Sequence, residues 1–258
     1  MSKSQIEHPK VVTRAEWLVA RKELLKKEKE LTRLRDELCR QRRELPRVKV
    51  EKNYVFEGAK GKESLADLFG GKSQLIVYHF MFGPEWKEGC PSCSFNMDHT
   101  DGALVHLAQR DVAFAAISRA PFAKIEPFQK RMGWKFKWVS SYGNDFNHDY
   151  RVSFTKDELA KGNCYNFDTT GFPSEEAPGF SVFYKDEKGN VYHTYSAYAR
   201  GTEGTVNTYN YLSLVPKGRD EDNLPFPMAW VRHHDRYSDG NLADADKPYW
   251  PANAASGT

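Results

Sequence analysis

Two cysteines in the arrangement Cys-Pro-Ser-Cys are the residues of this chain whose types and spacing indicate chemistry. Cys90 and Cys93 lie close together, whereas the other two of the four cysteines, Cys39 and Cys164, are isolated in the sequence. A single CxxC pair outside a disulfide-rich scaffold indicates thiol–disulfide exchange, half of a metal site, or coincidence. The elements that position the pair must decide among these three.

The segment before the pair is predicted to be a buried strand. Residues 75–82 read LIVYHFMF, an unbroken apolar run typical of a strand covered on both faces. Pro91 falls where the first residue of a helix would lie, and a helical apolar pattern continues to residue 110. A second apolar run, 112–117, and a helical stretch to Met132 follow. The order indicates a β-α-β-α unit with the cysteines at a helix start.

The chain after Gly133 is less regular. Residues 135–140 are compatible with a strand, and the polar, aromatic segment 141–161 has no clear assignment. Residues 178–184 and 191–198 indicate two strands joined by a Gly-Asn turn. A last helix is expected over 204–214.

One long helix is predicted near the N-terminus. Thr13 and Glu16 have capping-box spacing, and no Gly or Pro occurs from there until Pro46. Apolar residues recur at intervals of seven, at Trp17, Leu24, Leu31, Leu38 and Leu45. The positions three and four further on are mostly charged or small, so we expect a narrow apolar stripe rather than a full coiled-coil seam. The stripe would pack on the domain or on a second copy, and the charged remaining faces favour the second copy, hence a homodimer.

These patterns divide the chain into three parts. Residues 1–48 form a charged helical extension, 49–217 an α/β domain, and 218–258 an irregular segment that wraps the domain. Residues 1–50 carry 15 Lys and Arg against 8 Asp and Glu, whereas the remainder carries 23 against 27. A mildly acidic domain with a basic arm is unlike a nucleic-acid binder. With 28% charged residues, no apolar run near 20 residues and a polar start, we expect a cytoplasmic protein without membrane contact.

Five strings make a specific resemblance between residues 50 and 240. They are MFGPEWKEGCPSCS, ISRAP, GWKFKWVSSYGNDFNHDY, APGFSVFY and WVRHHDRY. The chain resembles the thioredoxin-like family known as domain of unknown function 899, often labelled as predicted dithiol-disulfide oxidoreductases. The resemblance implies a thioredoxin-like α/β fold with a central mixed sheet flanked by helices. It also places Pro178 where such proteins have a cis-proline that faces the active disulfide.

The chemistry of a helix start gives each cysteine an expected role. Unpaired N–H groups and the helix dipole stabilise a thiolate, so Cys90 is expected to be the exposed nucleophile and Cys93 the shielded resolving thiol. Ser118 and Arg119 end the second strand and are expected near Cys90. Arg119 would stabilise an anion or form an ordinary ion pair, and Trp86 would form a wall of the site or pack in the core.

Alternatives to thiol–disulfide exchange remain open at this point. Cys90 and Cys93 would bind copper or zinc with a histidine, for which His148 is the first candidate and His79, His233 and His234 are others. A thiol peroxidase ranks lower because Lys87 stands where peroxiredoxins have a Thr or Ser. An interaction module dimerised by its first helix ranks lowest. Disulfide exchange needs a disulfide-containing protein or small-molecule substrate and an external reductant, and no bound cofactor.

Overall fold

The computed structural model describes residues 9–168 and 171–237. The chain divides into two compact units, Met1–Arg47 and Val48–Thr258. The first unit contains the helix α1 (Arg14–Glu44), in which no residue is buried. Thr13 caps it: the Thr13 hydroxyl accepts from the Glu16 N–H, and the Glu16 carboxylate accepts from the Thr13 N–H. The predicted helix and its capping box are confirmed.

The second unit is built on a mixed sheet. The strands of its described part are β1 (Val48–Lys49), β2 (Val55–Gly58), β3 (Gly61–Ser64), β4 (Gln74–His79), β5 (Val112–Ser118), β6 (Lys137–Ser140), β7 (Gly179–Lys185) and β8 (Val191–Tyr198), in the spatial order β1-β8-β7-β4-β5-β6-β2-β3. Strands β4, β5 and β6 are parallel, and β7 is antiparallel to β4 and to β8. The predicted α/β class and the hairpin around the Gly-Asn turn are confirmed.

The helices that follow the strands are short. They are α2 (Pro91–Met97), α3 (Asp101–Gln109), α4 (Phe122–Met132), α5 (Phe146–Asp149), α6 (Lys156–Lys161) and α7 (Asn207–Leu212), with 3-10 turns at Asp67–Phe69 and Ala199–Thr205. The single helix predicted up to residue 110 was wrong, because it breaks between α2 and α3. Two carboxylates at the break accept hydrogen bonds from residues outside these two helices. Asp98 accepts from the Trp134 indole at 2.8 Å, and Asp101 accepts from the Lys135 backbone N–H at 2.8 Å.

Side chains of β4 alternate between the two faces of the sheet, as a strand requires. Tyr78 lies on the face whose core includes both Cys90 and Cys93, and we call this the cysteine face. His79 lies on the opposite face, beside Leu75 and Val77, which we call the histidine face. The cysteine face is notably aromatic, with Phe80, Phe82, Trp86, Phe128, Trp134, Phe136 and Trp138 in the same buried cluster.

Two further observations concern the ends of the chain and the membrane. Within 9–168 and 171–237, no helix is both long enough and apolar enough to cross a membrane. The predicted wrapping segment is described only to residue 237, where it consists of turns without a regular element after α7. The part of that prediction covering 238–258 lies outside the described residues.

Candidate redox-active site

The CPSC sequence lies at the start of α2, after the loop that leaves β4. Cys90 is the residue that precedes the helix, and Pro91 occupies its first turn. The Cys90 N–H donates to the Met81 carbonyl at 3.0 Å, and the Cys90 carbonyl accepts from the Ser94 N–H at 2.9 Å. The predicted placement of the motif at a helix start, with Pro91 inside the first turn, is therefore observed.

Both sulfurs are buried in the reduced form. Cys90 is 0% exposed and Cys93 is 1% exposed, and both are free thiols. The expectation of an exposed Cys90 was wrong. Cys90 is buried because it lies in the aromatic cluster of the cysteine face, which includes residues of the preceding loop and Phe128 from α4. The sequence around the motif does not predict that Cys90 is buried, because part of the cluster comes from distant parts of the chain.

Hydrogen bonds converge on the inner sulfur. The two thiols bond to each other, and the Tyr78 hydroxyl bonds to Cys93. The Met81 N–H also donates to Cys93 Sγ, at 3.4 Å. Cys90 Sγ in turn receives the backbone N–H groups of Ser92 and Cys93, as the start of a helix provides.

The two thiols differ in acidity. Burial raises the pKa of Cys90 well above its ordinary value, and the hydrogen bond it shares with Cys93 acts in the same direction, outweighing the two backbone N–H groups. Burial also raises the pKa of Cys93, but the donors Cys90, Tyr78 and Met81 outweigh it, so the pKa is lowered overall. Of the two thiols, Cys93 therefore has the lower pKa, and the expected lowering of the Cys90 pKa is not found.

Tyr78 is a site residue that the sequence reasoning missed. Its side chain is 2% exposed, and burial followed by the charge of Cys93 raises the pKa of the phenol. A protonated phenol can donate a hydrogen bond to the sulfur of Cys93, and this hydrogen bonding lowers the pKa of Cys93. The sequence signal that could have identified Tyr78 was its hydroxyl within the apolar run LIVYHFMF, in the strand that precedes the CPSC loop.

Ser118 and Arg119 lie at the end of β5, where they were predicted, but each is engaged by protein groups. The Ser118 hydroxyl donates to the Phe80 carbonyl at 2.8 Å and accepts from the Trp138 indole at 3.0 Å. The Arg119 guanidinium pairs with the Glu176 carboxylate at 2.9 Å. Of the two predicted alternatives for Arg119, the structure has the ion pair.

Glu176 is a second residue that sequence reasoning missed. It is 1% exposed and lies two residues before Pro178. Burial raises its pKa to about 7, although the charge of Arg119 and the hydroxyl of Ser153, which donates at 2.5 Å, oppose the shift. A buried carboxyl that titrates near neutrality is common at functional sites and also in structural ion pairs.

The remaining predicted residues have mixed outcomes. Trp86 is 5% exposed and packs in the same cluster as both cysteines. It therefore packs in the core and lies beside the candidate site, so the two predicted roles do not exclude each other. The peptide bond before Pro178 is trans, as are all bonds of the described residues, so the cis-proline implied by the resemblance is absent. The Pro178 carbonyl accepts from the Tyr165 hydroxyl at 2.5 Å.

The structure does not assemble the predicted alternative metal site. In 9–168 and 171–237, no three His, Cys, Asp or Glu side chains are grouped to hold a metal ion. His148 lies in α5, where burial and then the charge of Arg119 lower its pKa. Cys90, Cys93 and His148 are thus not a ligand set.

His233, which was another candidate metal ligand, forms a hydrogen bond to the loop before Cys90. Its Nδ1 accepts from the Arg131 guanidinium at 2.8 Å, so Nε2 carries the proton and donates to the Gly89 carbonyl at 2.9 Å. Glu88 accepts from Arg131 and from Arg236, each at 2.7 Å. The string WVRHHDRY therefore joins the C-terminal segment to the two residues that precede the motif.

The central strand β4, followed by CPSC at a helix start, a parallel β5 and the antiparallel hairpin β7-β8 next to β4, defines a thioredoxin-like protein. Residues 6–237 match the model of "Bacterial protein of unknown function (DUF899)", so the chain belongs to that family. This confirms the family resemblance and the fold it implied. No protein of curated function matches the chain significantly.

Solved structures with related folds are only distantly similar. Peroxidoxin BcpB from Mycobacterium tuberculosis has 12% identity and a TM-score of 0.43, covering 64% of this chain and 94% of its own. Thioredoxin peroxidase I from Plasmodium yoelii has 15% identity and a TM-score of 0.39, covering 70% and 95%. A protein assigned as thiol:disulfide interchange protein DsbE from Chlorobium tepidum has 12% and 0.37, covering 65% and 97%. The fold assignment therefore rests on the strand order.

Proposed function

We propose that this protein is a thiol–disulfide oxidoreductase whose redox pair is Cys90 and Cys93. The observation that carries the proposal is the position of two free, buried thiols at the start of α2, with the Met81 N–H donating to the inner sulfur at 3.4 Å and Tyr78 in the same buried cluster. Two cysteines three residues apart at the start of a helix can interconvert between dithiol and disulfide.

The arrangement supports a cycle in which Cys93 first acts as a base. Before that step, a movement that exposes Cys90 removes the burial that raises its pKa. The Cys90 proton then passes to the Cys93 thiolate, and the new Cys90 thiolate attacks a substrate disulfide. A mixed disulfide forms on Cys90, and one substrate sulfur leaves as a thiolate that takes the proton from Cys93. Cys93 then attacks Cys90 Sγ and displaces the second substrate sulfur, which is protonated by solvent. The substrate is reduced to two thiols, and an external dithiol reductant returns the protein disulfide to the dithiol.

Tyr78 has a defined part in this cycle. Its hydroxyl stabilises the Cys93 thiolate both before the first attack and at the resolving step, since a hydrogen bond to a charged group is among the stronger ones in proteins. The hydroxyl does not have to ionise for this role. The substrate is a protein or small-molecule disulfide, and the need for an external reductant fits a reducing compartment such as the cytoplasm.

Access to Cys90 requires a movement that exposes its sulfur. The loop before the motif is fixed by the contacts of Glu88 with Arg131 and Arg236 and of the Gly89 carbonyl with His233. The same loop is also held by Lys124, whose ammonium donates to the Pro84 carbonyl at 2.6 Å, and by the buried side chain of Trp86, so these contacts must break as well before Cys90 is exposed. We therefore place substrate entry on the side of this loop.

Thiol alkylation with intact-mass analysis tests the proposal. Protein equilibrated anaerobically across a series of dithiothreitol redox ratios should convert Cys90 and Cys93 together and reversibly, with metal content measured on the same sample. The double variant C39S/C164S is the matched control and should behave as the wild type. Thiols that stay protected by stoichiometric metal, or that never pair with each other, would contradict the proposal.

A further inference from the structure

The proposed redox function leaves the surface of α1 unused. An apolar row runs along this helix for its full length, and its members are each well exposed: Trp17 43%, Leu24 52%, Leu31 66%, Leu38 45% and Leu45 46%. A helix of 31 residues is about 46 Å long. A row of exposed apolar residues that repeats regularly over that length indicates a binding face.

The repeat length of this row indicates another helix as its occupant. A straight α-helix drifts by about 20° per heptad from a strict seven-residue repeat, or roughly 80° from Trp17 to Leu45. The row stays against its partner only if two helices supercoil around each other. A helix with the same repeat is required, and a second copy of this chain supplies one.

Charged residues flank the row with the same repeat. The position immediately before each apolar residue is occupied throughout by glutamate: Glu16, Glu23, Glu30, Glu37 and Glu44. The position four residues after each of the first four apolar residues is mostly arginine: Arg21, Glu28, Arg35 and Arg42. In heptad terms the apolar row is at a, the glutamates are at g, and the second set is at e.

We propose that α1 pairs with α1 of a second copy as a parallel, in-register coiled coil. In a parallel pair each g residue faces the e residue of the next heptad on the other helix. Three of the four resulting contacts join opposite charges: Glu16 with Arg21, Glu30 with Arg35, and Glu37 with Arg42 of the other copy. The fourth, Glu23 with Glu28, joins like charges.

The antiparallel arrangement is disfavoured by the same residues. There g faces g and e faces e, so that every glutamate of the first flank would meet another glutamate. On the second flank, Arg21 would meet Arg35, and Glu28 would meet its own equivalent. Like charges at close contact are destabilising, and the charge pattern therefore selects the orientation as well as the partner.

The seam is incomplete, which sets the strength of the pairing. Between the apolar layers lie Ala20, Lys27, Leu34 and Gln41, of which two are polar. Polar residues in the seam lower stability while fixing register. The dimer is therefore concentration-dependent, and K27L should tighten it.

Sedimentation of the full-length protein over a range of concentrations tests the dimer. We expect reversible association to twice the mass of the chain. Replacing a seam residue with a charge, as in L31E, should raise the dissociation constant by at least about a hundredfold, because each copy would bury a carboxylate at the interface. V19E, on the outer face of the same helix, should leave it unchanged. A wild type that stays monomeric at all concentrations, or L31E and V19E variants that behave alike, would overturn the proposal.

Disulfide trapping tests the orientation. In a C39S/C164S background, L24C should crosslink to itself, because parallel in-register helices place identical residues side by side. Antiparallel helices that overlap fully would bring residue 24 to residue 34, so crosslinking only in a mixture of L24C and L34C would reject the parallel arrangement.

E28R replaces the single like-charge contact with an attractive one, and the dissociation constant should fall by about tenfold. An increase would reject the assigned contacts.

Discussion

Tyr78 and His79 are neighbours in β4, and both are fully enclosed, yet the two faces of the sheet use them differently. On the cysteine face the Tyr78 hydroxyl donates to the sulfur of Cys93. On the histidine face His79 Nε2 bonds to the Ser181 hydroxyl at 2.8 Å, which contacts the Ser196 hydroxyl at 2.9 Å. The chain of hydrogen bonds ends on a second histidine, His193, 2.8 Å from Ser196.

The difference shows that burial alone does not make a reactive site. Burial lowers the pKa of His79 to about 3, so this histidine stays neutral and exchanges hydrogen bonds with neutral hydroxyls. Its Nδ1 has no hydrogen-bond partner within the described part of the chain. On the cysteine face, hydrogen-bond donors around one ionisable sulfur lower the pKa of Cys93 despite its burial.

The strongest test of this comparison is the loss of activity on one face only. C90S should abolish turnover of a disulfide substrate, since the attacking sulfur is gone, and C93S should trap the substrate as a mixed disulfide. H79Q, on the other face, should retain turnover. Both outcomes are read by following free thiols released from substrate and by intact mass. Turnover that survives in both cysteine variants would remove the distinction between the faces.

The next effect is on stability in acid. His79 has an ordinary pKa of 6.5 and a folded-state pKa of about 3, so the unfolded chain binds the extra proton between these values. Stability from this group is fully present above pH 6.5 and is lost as the pH falls towards 3, by about 1.4 kcal/mol per pH unit. Compared with the wild type, H79Q should lose that dependence in urea unfolding between pH 6.5 and 4. Parallel pH profiles for the two proteins would show that His79 is not buried and neutral.

Glu176 is expected to act in the opposite direction. Its pKa rises from an ordinary 4.5 to about 7, so the folded state holds the proton more tightly. Its contribution is present below pH 4.5 and is lost as the pH rises through 7, again by about 1.4 kcal/mol per pH unit within that window. Unfolding of E176Q, compared with the wild type from pH 4.5 to 7, should show this slope removed. A difference of the same sign as that of H79Q would refute the assignment.

The smallest effect concerns the hydroxyl of Tyr78. Y78F removes a hydrogen bond to the Cys93 thiolate, so the pKa of that thiol should rise and the rate of thiolate alkylation at pH 7 should fall by about tenfold. Y54F is the matched control, because the Tyr54 hydroxyl, in the core of the other face, donates to Asp149 at 2.7 Å. Equal alkylation rates in Y78F and wild type would show that Tyr78 only packs.

Much of the fold was predictable because its strongest signals are local. The apolar runs of β4 and β5, the turn between β7 and β8, Pro91 at a helix start and the capping box at Thr13 each leave a pattern within a few residues. Strands β1, β2 and β3 were missed because they are only two to four residues long; β1 and β3 are also largely exposed, and only two residues of β2 are buried. Patterns this short do not differ from those of polar loops.

The site was less predictable because its decisive contacts are long-range. Cys90 is buried in a cluster that includes Phe128, and the preceding Gly89 is held by His233, 144 residues further along the chain. Motif chemistry alone predicts an exposed nucleophile with a lowered pKa, and only the packing of distant segments reverses both expectations. The charge on Cys93 likewise depends on the direction in which Tyr78 points from its strand.

The aromatic cluster of the cysteine face has an optical consequence. Trp86, Trp134 and Trp138 belong to the same buried group as Cys90 and Cys93, whereas Trp17 is half-exposed on α1. Thiolates and disulfides quench indole emission at short range, so formation of the Cys90–Cys93 disulfide would change the intrinsic fluorescence of the protein. The proposed redox reaction would therefore have its own optical reporter, and it could be followed in real time without a label.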